Sequence, residues 1–182
     1  MNTKIDLYLI DAGNSFIKLG VYKKGEVISL SYFVDSSSLK QQLDPNVPIA
    51  ISSVLNSDFE QDLKEYENPI FWINHSVKLP FKIKYLSPAT LGIDRICNVA
   101  AIVNTNRFTN RLIIDVGTCI KFDFLNDKNE YEGGSISPGL KLRYKALNLF
   151  TDKLPLIDTS DKVNLIGNST ESSIQSGVQN GI

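Results

Sequence analysis

The chain has 182 residues, of which 42% are hydrophobic, and its formal net charge at neutral pH is −1. A chain of this length can bury a hydrophobic core, whereas its near-neutral charge gives no general attraction to nucleic acid or to a membrane surface. No apolar stretch is long enough to span a bilayer, and the N-terminus has no signal-peptide pattern. The two cysteines are too few for a disulfide framework or a zinc site. We therefore expect a cytoplasmic protein.

The first part of the chain predicts a mixed sheet with helices packed against it. Apolar runs predict five strands, and the second and third of them form a hairpin around Lys23-Lys24-Gly25. Ser36-Ser37-Ser38 is predicted to cap a short helix, because small hydroxyl side chains accept hydrogen bonds from the first N–H groups of a helix. We assign no catalytic role to the single histidine, His75, which follows the fifth strand in a polar loop. The predicted strands are 5–11, 16–22, 26–34, 48–53 and 69–73, with a polar helix at 57–66.

The middle of the chain predicts a helix that begins near Ala89 and carries an acid and a base side by side. Asp94 and Arg95 lie in its first turns, and adjacent residues do not face each other on a helix. They are either ordinary exposed residues or a functional pair, in which the Asp94 carboxylate is a general base and the Arg95 guanidinium binds an anionic substrate group. The apolar residues on one stripe of this helix are Ile93, Ile96, Ala100 and Val103.

The last third repeats the pattern of three strands and then predicts two helices. The first helix, at 140–149, follows the glycine-rich segment 133–139, which allows close backbone approach near a helix N-terminus, where the dipole favours anions. By itself this segment could also be only a structural turn. The second helix is predicted to start near 168–171, with the hydroxyl of Ser169 or Thr170 as its cap. The three predicted strands are 111–115, 119–125 and 130–136.

Two ten-residue segments, about a hundred residues apart, repeat one pattern. Leu9–Lys18 and Ile113–Phe122 each contain an apolar run that ends in Asp-x-Gly, a small polar residue, and a second apolar run with a lysine. The register continues beyond them, since Lys24-Gly25-Glu26 and Lys128-Asn129-Glu130 place a turn and a glutamate at matching positions. A period of this length indicates a duplicated domain, because solenoid repeats are much shorter.

The repeated hairpin has a chemistry suited to phosphate. Its glycine has no Cβ, so a ligand can approach the backbone closely, and backbone N–H groups with the hydroxyl of Ser15 or Thr118 can donate to phosphate oxygens. Asp11 and Asp115 would repel phosphate, so we expect them to act through a cation or an ordered water. A single Asp-x-Gly is often only a turn, but two copies in register predict a nucleotide-phosphate clamp made from two facing hairpins.

The motifs together resemble the ordered motif set of the type III pantothenate kinase family. They are Asp-x-Gly-Asn-Ser at 11–15, Gly-x-Asp-Arg at 92–95, Asp-x-Gly-Thr at 115–118, Gly-Gly-x-Ile-x-Pro-Gly at 133–139 and Ser-Thr-x-x-Ser-Ile-x-Ser-Gly at 169–177. The resemblance covers essentially the whole chain. It implies the α/β fold of the actin, sugar-kinase and heat-shock-ATPase superfamily: two duplicated ribonuclease-H-like domains, mixed sheets with flanking helices, at 1–110 and 111–182. Family members continue past the equivalent of Ile182, so we expect the second domain to be incomplete, that is, truncated at the C-terminus.

The same resemblance implies an activity and roles for individual residues. It implies phosphorylation of pantothenate by ATP to phosphopantothenate, the first step of coenzyme A biosynthesis. Asp94 would accept the proton, and Asp115 would bind a monovalent metal ion or ammonium, with potassium as the metal and magnesium as a further ion that accompanies ATP. Thr170 would reach the substrate across the interface of a homodimer. The implied ATP-binding residues are Asp11, Ala12, Gly13, Asn14, Ser15, Phe16, Ile17, Lys18 and Thr118, and the implied pantothenate-binding residues are Tyr85, Gly92, Ile93, Asp94, Arg95 and Thr170.

Two other functions stay open at this point. One is a kinase of the same superfamily that acts on another small alcohol, against which Tyr85 and the Gly-x-Asp-Arg motif favour pantothenate. The other is a non-catalytic or regulatory relative that keeps the fold, against which the retained Asp94 and Asp115 favour catalysis. The helix that carries Asp94 is apolar on more than one side, which is typical of a helix with a second partner and favours a two-fold dimer.

Overall fold

The computed structural model describes residues 5–55, 57–64, 66, 69–105 and 109–182. The chain forms two compact units, the first made of Met1–Asn110 with Leu125–Glu132 and the second of Arg111–Phe124 with Gly133–Ile182. The chain has a mixed α/β architecture with two mixed sheets and flanking helices. The division into domains at 1–110 and 111–182 stays a prediction.

The first unit contains a five-stranded sheet. Its strand order is β3-β2-β1-β4-β5, in which β1 pairs antiparallel with β2 and parallel with β4, and β4 pairs parallel with β5. The five predicted strands are all present within two residues of their expected bounds. They are β1 (Leu7–Ala12), β2 (Ile17–Lys23), β3 (Glu26–Phe33), β4 (Ile49–Ser53) and β5 (Ile70–Trp72).

Helices α1 (Ser36–Lys40) and α2 (Ser57–Asp62) contribute to the core of the first unit. The prediction that serines 36–38 cap α1 is wrong: Asp35 is the N-cap, and its carboxylate accepts a 2.7 Å hydrogen bond from the backbone N–H of Ser38. A charged acceptor forms a stronger hydrogen bond than a hydroxyl does. Alternate residues of β1, β2 and β4 pack against the two helices and bury apolar side chains, and each large aliphatic or phenylalanine side chain stabilises the fold by roughly 1.5–3 kcal/mol. These core residues include Tyr8, Ile10, Ala12, Ile17, Leu19, Leu39, Ile49, Ile51 and Phe59.

Helix α3 (Ile93–Ile102) starts four residues later than the sequence pattern predicts. Pro88–Thr90 instead forms a 3-10 turn, and the extended Leu91 and Gly92 lead into the helix. Its buried face also differs from the predicted stripe, since Ile93 and Ala100 are only half-buried. The helix packs against β4. Its buried residues, with Val103 just beyond its end, are Arg95, Ile96, Val99 and Val103.

A second, four-stranded sheet has the order β6-β9-β8-β7. Its first strand was not predicted, because two residues are too few to show any periodicity; it pairs parallel with the start of β9. At the edge of this sheet, among the described strands, lies β7. The strands are β6 (Lys82–Ile83), β7 (Arg111–Val116), β8 (Cys119–Leu125) and β9 (Glu130–Pro138).

The last two helices, α4 (Leu140–Leu149) and α5 (Thr170–Gln179), lie in the second unit and pack on each other. Their small core is formed by Tyr144, Ile174 and Val178. In the described part of the chain, none of the helices combines the length and the apolar character that a membrane crossing requires.

Candidate active site

The first repeated hairpin is closed at its turn by the backbone and by an ion pair. The N–H of Gly13 donates to the carbonyl of Phe16 at 3.1 Å. Across the paired strands, the Lys18 Nζ lies 2.9 Å from the Asp11 carboxylate, and both side chains are about half exposed. The turn residues Asn14 and Ser15 are exposed, so a ligand can approach the turn from solvent.

The second hairpin, in the second unit, is closed in the same way. The N–H of Gly117 donates to the carbonyl of Cys119 at 3.0 Å. The Lys121 Nζ lies 2.7 Å from the Asp115 carboxylate. The turn is one residue shorter than the first, yet it keeps the same glycine donor and the same Asp–Lys pair. The internal repeat seen in the sequence is therefore also a repeat of local structure.

Gly139 packs directly on the second turn. Its N–H donates to the carbonyl of Thr118 at 2.9 Å, and a Cβ at this position would lie 2.6 Å from the same carbonyl oxygen. Any larger residue would push the turn away. Because Gly139 is also the N-cap of α4, the glycine-rich segment joins the second hairpin to the start of this helix.

The Gly-x-Asp-Arg motif forms the start of α3. The Asp94 carboxylate turns back over the helix N-terminus, where its Oδ1 accepts a 2.9 Å hydrogen bond from the N–H of Arg95. Gly92 provides the space for this arrangement, because a Cβ there would lie 2.5 Å from the same carboxylate oxygen. The glycine of the motif is therefore needed to orient its aspartate.

Arg95 lies against two aromatic rings that also touch each other. It is only 4% exposed, and its guanidinium carbon lies 6.0 Å from the ring centre of Tyr85 and 5.9 Å from that of Tyr131. Contacts of this kind stabilise a cation by roughly 0.5–2 kcal/mol. The two rings are themselves in contact, with centres 6.1 Å apart. A planar guanidinium held in this way can present a fixed pair of donors to a carboxylate.

Cys97, one turn further along α3, shows that the first hairpin and the Gly-x-Asp-Arg motif are neighbours. Burial raises the pKa of the Cys97 thiol, the neighbouring Ser52 lowers it, and the nearby carboxylates of Asp11 and Asp94 raise it again. Ser52 is the β4 residue paired with Asp11 in the sheet. The thiol is therefore protonated at neutral pH and is unsuited to act as a nucleophile.

Thr170 is the first residue of α5. The sequence left open whether Ser169 or Thr170 caps this helix, and the structure assigns the cap to Ser169, whose hydroxyl accepts from the N–H of Ser172 at 3.1 Å. Thr170 borders a groove of about 1120 Å³ in the second unit. The groove lies between α4 and α5 and is lined mainly by apolar side chains, among them Leu147, Phe150, Ile174 and Val178.

A family model described as Type III pantothenate kinase matches residues 7–182. The chain belongs to the type III pantothenate kinase family. A Christiangramia forsetii protein of that name is 42% identical over 96% of this chain and 74% of its own length. Another, from Cytophaga hutchinsonii, is 40% identical over 96% of this chain and 74% of its own length. The chain thus spans about three quarters of the length of these relatives.

A solved structure supports the fold. A Campylobacter jejuni protein described as a conserved Baf family transcriptional activator matches with a TM-score of 0.62 at 22% identity, over 96% of this chain and 74% of that one. At this identity the likeness extends to the fold alone.

Two residues near the family motifs were not identified from the sequence. Tyr131 is fully buried against Arg95, and it lies there because the start of β9 pairs with β6. A local sequence pattern does not predict this strand pairing. His75, for which we expected no catalytic role, has a structural one: its Nε2 lies 2.8 Å from the carbonyl of Leu91. A carbonyl only accepts, so Nε2 donates and fastens the loop just before Gly92.

The donor set at Asp115 does not fit an added cation well. Within the described ranges, no group of three or more histidine, cysteine, aspartate or glutamate side chains is arranged to hold a metal ion. The Asp115 carboxylate is already bound by an ammonium group at 2.7 Å. A second cation at the same carboxylate would be repelled by the first. We therefore derive no catalytic step through a bound monovalent ion.

Proposed function

We propose that this protein transfers the terminal phosphoryl group of ATP to the primary hydroxyl of pantothenate, the first step of coenzyme A biosynthesis. The observation that carries the proposal is the family match over residues 7–182, combined with the orientation of Asp94 and Arg95 at the start of α3. The site that binds the acceptor alcohol is the feature that indicates the substrate. The phosphate-binding turns do not, because such turns occur in kinases of every specificity.

Each hairpin is suited to hold phosphate oxygens. The first has exposed polar residues at Asn14 and Ser15, and Lys18 adds a positive charge beside Asp11. The second offers Thr118 at a turn against which Gly139 packs. The proposed ATP-binding set is therefore 11–18 with Thr118. Phosphoryl transfer depends mainly on positioning and charge neutralisation of this kind, and less on covalent chemistry by the protein.

The acceptor half of the reaction is assigned to the start of α3. In the proposed step the pantothenate hydroxyl oxygen attacks the terminal phosphorus, the bond to the bridging oxygen of ADP breaks, and the Asp94 carboxylate accepts the hydroxyl proton. Arg95, held by Tyr85 and Tyr131, would bind the pantothenate carboxylate. Gly92 and Ile93 complete the proposed pocket, with Thr170 contributed by a second protomer.

Several finer features of the family also enter as proposals. These are two ribonuclease-H-like domains at 1–110 and 111–182, a cytoplasmic homodimer, and magnesium that accompanies ATP. The dimer is supported by α3, on which Ala101 is exposed while Ile93 and Ile102 are half-buried. The potassium or ammonium ion implied at Asp115 is the one feature that the local donor set does not favour.

The decisive test is phosphoryl transfer with and without the proposed base. ADP release and product mass would be measured with pantothenate and ATP for the wild type and for Asp94→Asn. We expect kcat to fall about 10²–10⁴-fold, the usual contribution of a general base, with the KM for ATP unchanged. Asp58→Asn is the matched control, because Asp58 is also an acid in the first turn of a helix and should leave kcat unaltered.

Other outcomes would redirect the proposal. Near-normal turnover of Asp94→Asn would reduce Asp94 to a structural helix residue, and Asp11 would become the next candidate for the base. Transfer to a different small alcohol, with none to pantothenate, would support the other kinase hypothesis. No transfer to any alcohol would support a non-catalytic relative.

A further inference from the structure

The two Asp–Lys pairs of the repeated hairpins have different environments. In the first hairpin, Lys18 and Asp11 are 47% and 44% exposed at a separation of 2.9 Å. In the second, Lys121 and Asp115 are only 15% and 34% exposed at 2.7 Å. The ammonium group of Lys121 is therefore held closely against its aspartate and is largely shielded from water, whereas Lys18 is solvated.

The position of Lys121 places this charge in the second phosphate-binding turn. Lys121 lies two residues after Cys119, whose carbonyl closes the turn with Gly117. The neighbouring carbonyl of Thr118 accepts from Gly139, where α4 begins. An ammonium group carries three donors, so it can bind a carboxylate and a phosphate oxygen at the same time.

A positive charge is needed at this turn. The Asp115 carboxylate would repel the phosphates of a bound nucleotide unless a cation lies between them or beside them. An ion from solution can supply that charge, but it would have to compete with an ammonium group that the fold already holds at 2.7 Å. A largely shielded charge also loses less of its effect to salt screening than an exposed one does.

We propose that the Lys121 ammonium group is the monovalent cation of this site, so that phosphoryl transfer by this protein requires no added potassium or ammonium ion. The expected effect on activity rests on the proposed function, whereas the occupation of Asp115 by Lys121 rests on the geometry of that pair. Lys121 neutralises charge beside the nucleotide phosphates. Lys18 contributes less to this neutralisation because it is more exposed to solvent.

The kinetic test compares salts at equal ionic strength. The wild type would be assayed with pantothenate and ATP in potassium, ammonium, sodium and tetramethylammonium chloride, where we expect kcat/KM to agree within about twofold. Lys121→Met removes the charge and keeps an unbranched side chain. We expect the kcat/KM of this variant to fall at least about tenfold in tetramethylammonium chloride and to recover most of that loss in potassium or ammonium chloride.

Lys18→Met is the matched control. It breaks the corresponding pair of the first hairpin, and we expect it to lose activity equally in all four salts, without rescue. Should Lys121→Met fail to fold, Lys121→Gln provides a second neutral variant, and the salt profile of the wild type decides by itself.

A second readout does not depend on turnover. The melting temperature of each variant would be measured in potassium and in tetramethylammonium chloride, without substrates. The wild type should show no potassium-specific shift, whereas Lys121→Met should gain one as the ion occupies the vacated position.

Two results would overturn the inference: a wild type at least tenfold more active in potassium than in sodium, or a Lys121→Met variant that is impaired equally in every salt. If no salt supports transfer to pantothenate, the proposed function fails, and the melting temperatures still decide the role of Lys121.

Discussion

Arg95→Lys tests whether the guanidinium beside two tyrosines recognises the pantothenate carboxylate. The replacement keeps the charge but loses the planar pair of donors and the two ring contacts at 6.0 and 5.9 Å. The ring contacts, worth roughly 0.5–2 kcal/mol, already exist without substrate, so they fix the guanidinium and do not add to binding. Hydrogen bonds to a charged group contribute about 1.5–3 kcal/mol, and losing the planar pair of donors should weaken pantothenate binding by about that amount. At 1.4 kcal/mol per factor of ten, the KM for pantothenate should rise about 10–100-fold.

The assay is steady-state kinetics with each substrate varied in turn. Because Arg95 binds the acceptor before the transition state, kcat should change much less than KM, and the KM for ATP should stay constant. Tyr131→Phe is the control: it keeps the buried ring against Arg95 and removes only a hydroxyl, so the KM for pantothenate should stay close to that of the wild type. An unchanged KM for pantothenate in Arg95→Lys, or an equal rise for both substrates, would refute the assignment.

Two further predictions concern stability and assembly. Ile10→Ala should lower the free energy of unfolding by about 2–5 kcal/mol, because Ile10 is only 3% exposed. Ile114→Ala, at the matching position of the second hairpin, should lower it by less than about 1 kcal/mol, because Ile114 is 55% exposed. Chemical denaturation measures both values, and equal losses would contradict the burial argument. Light scattering at micromolar concentration should give the mass of a dimer for the wild type. Ala101→Glu, on the exposed side of α3, should give the mass of a monomer. A wild type that is already monomeric would count against the proposed interface.

Local patterns predicted the strands and turns well, because alternation and turn residues act over a few positions. Lys24 and Asn129, in the two predicted turns, both adopt positive φ, as a tight hairpin requires. The sequence pattern places the start of α3 too early. It predicts a helix from Ala89, but Pro88–Thr90 form a 3-10 turn, and spacing alone does not distinguish the two helix types.

The functional motifs could be identified, but their surroundings could not. Asp94, Gly92 and Arg95 are adjacent in sequence, so the hydrogen bond that orients the aspartate is a local property. Tyr131 reaches Arg95 only through pairing between β6 and β9, which are separated by some fifty residues in sequence. Long-range pairing of this kind leaves no periodic trace, and the fully buried ring therefore could not be predicted as part of the site.

The two hairpins show most clearly where local information ends. Both keep the glycine turn bond and the Asp–Lys pair, so those features are encoded within ten residues. Yet Ile10 is buried while Ile114 is exposed, because β1 is flanked by β4 and contributes to a core with two helices, whereas β7 is at the edge of its sheet among the described strands. The same difference in surroundings separates a solvated Lys18 from a shielded Lys121. A repeated motif can thus conserve the geometry of a turn while the fold around each copy determines how strongly its charges act.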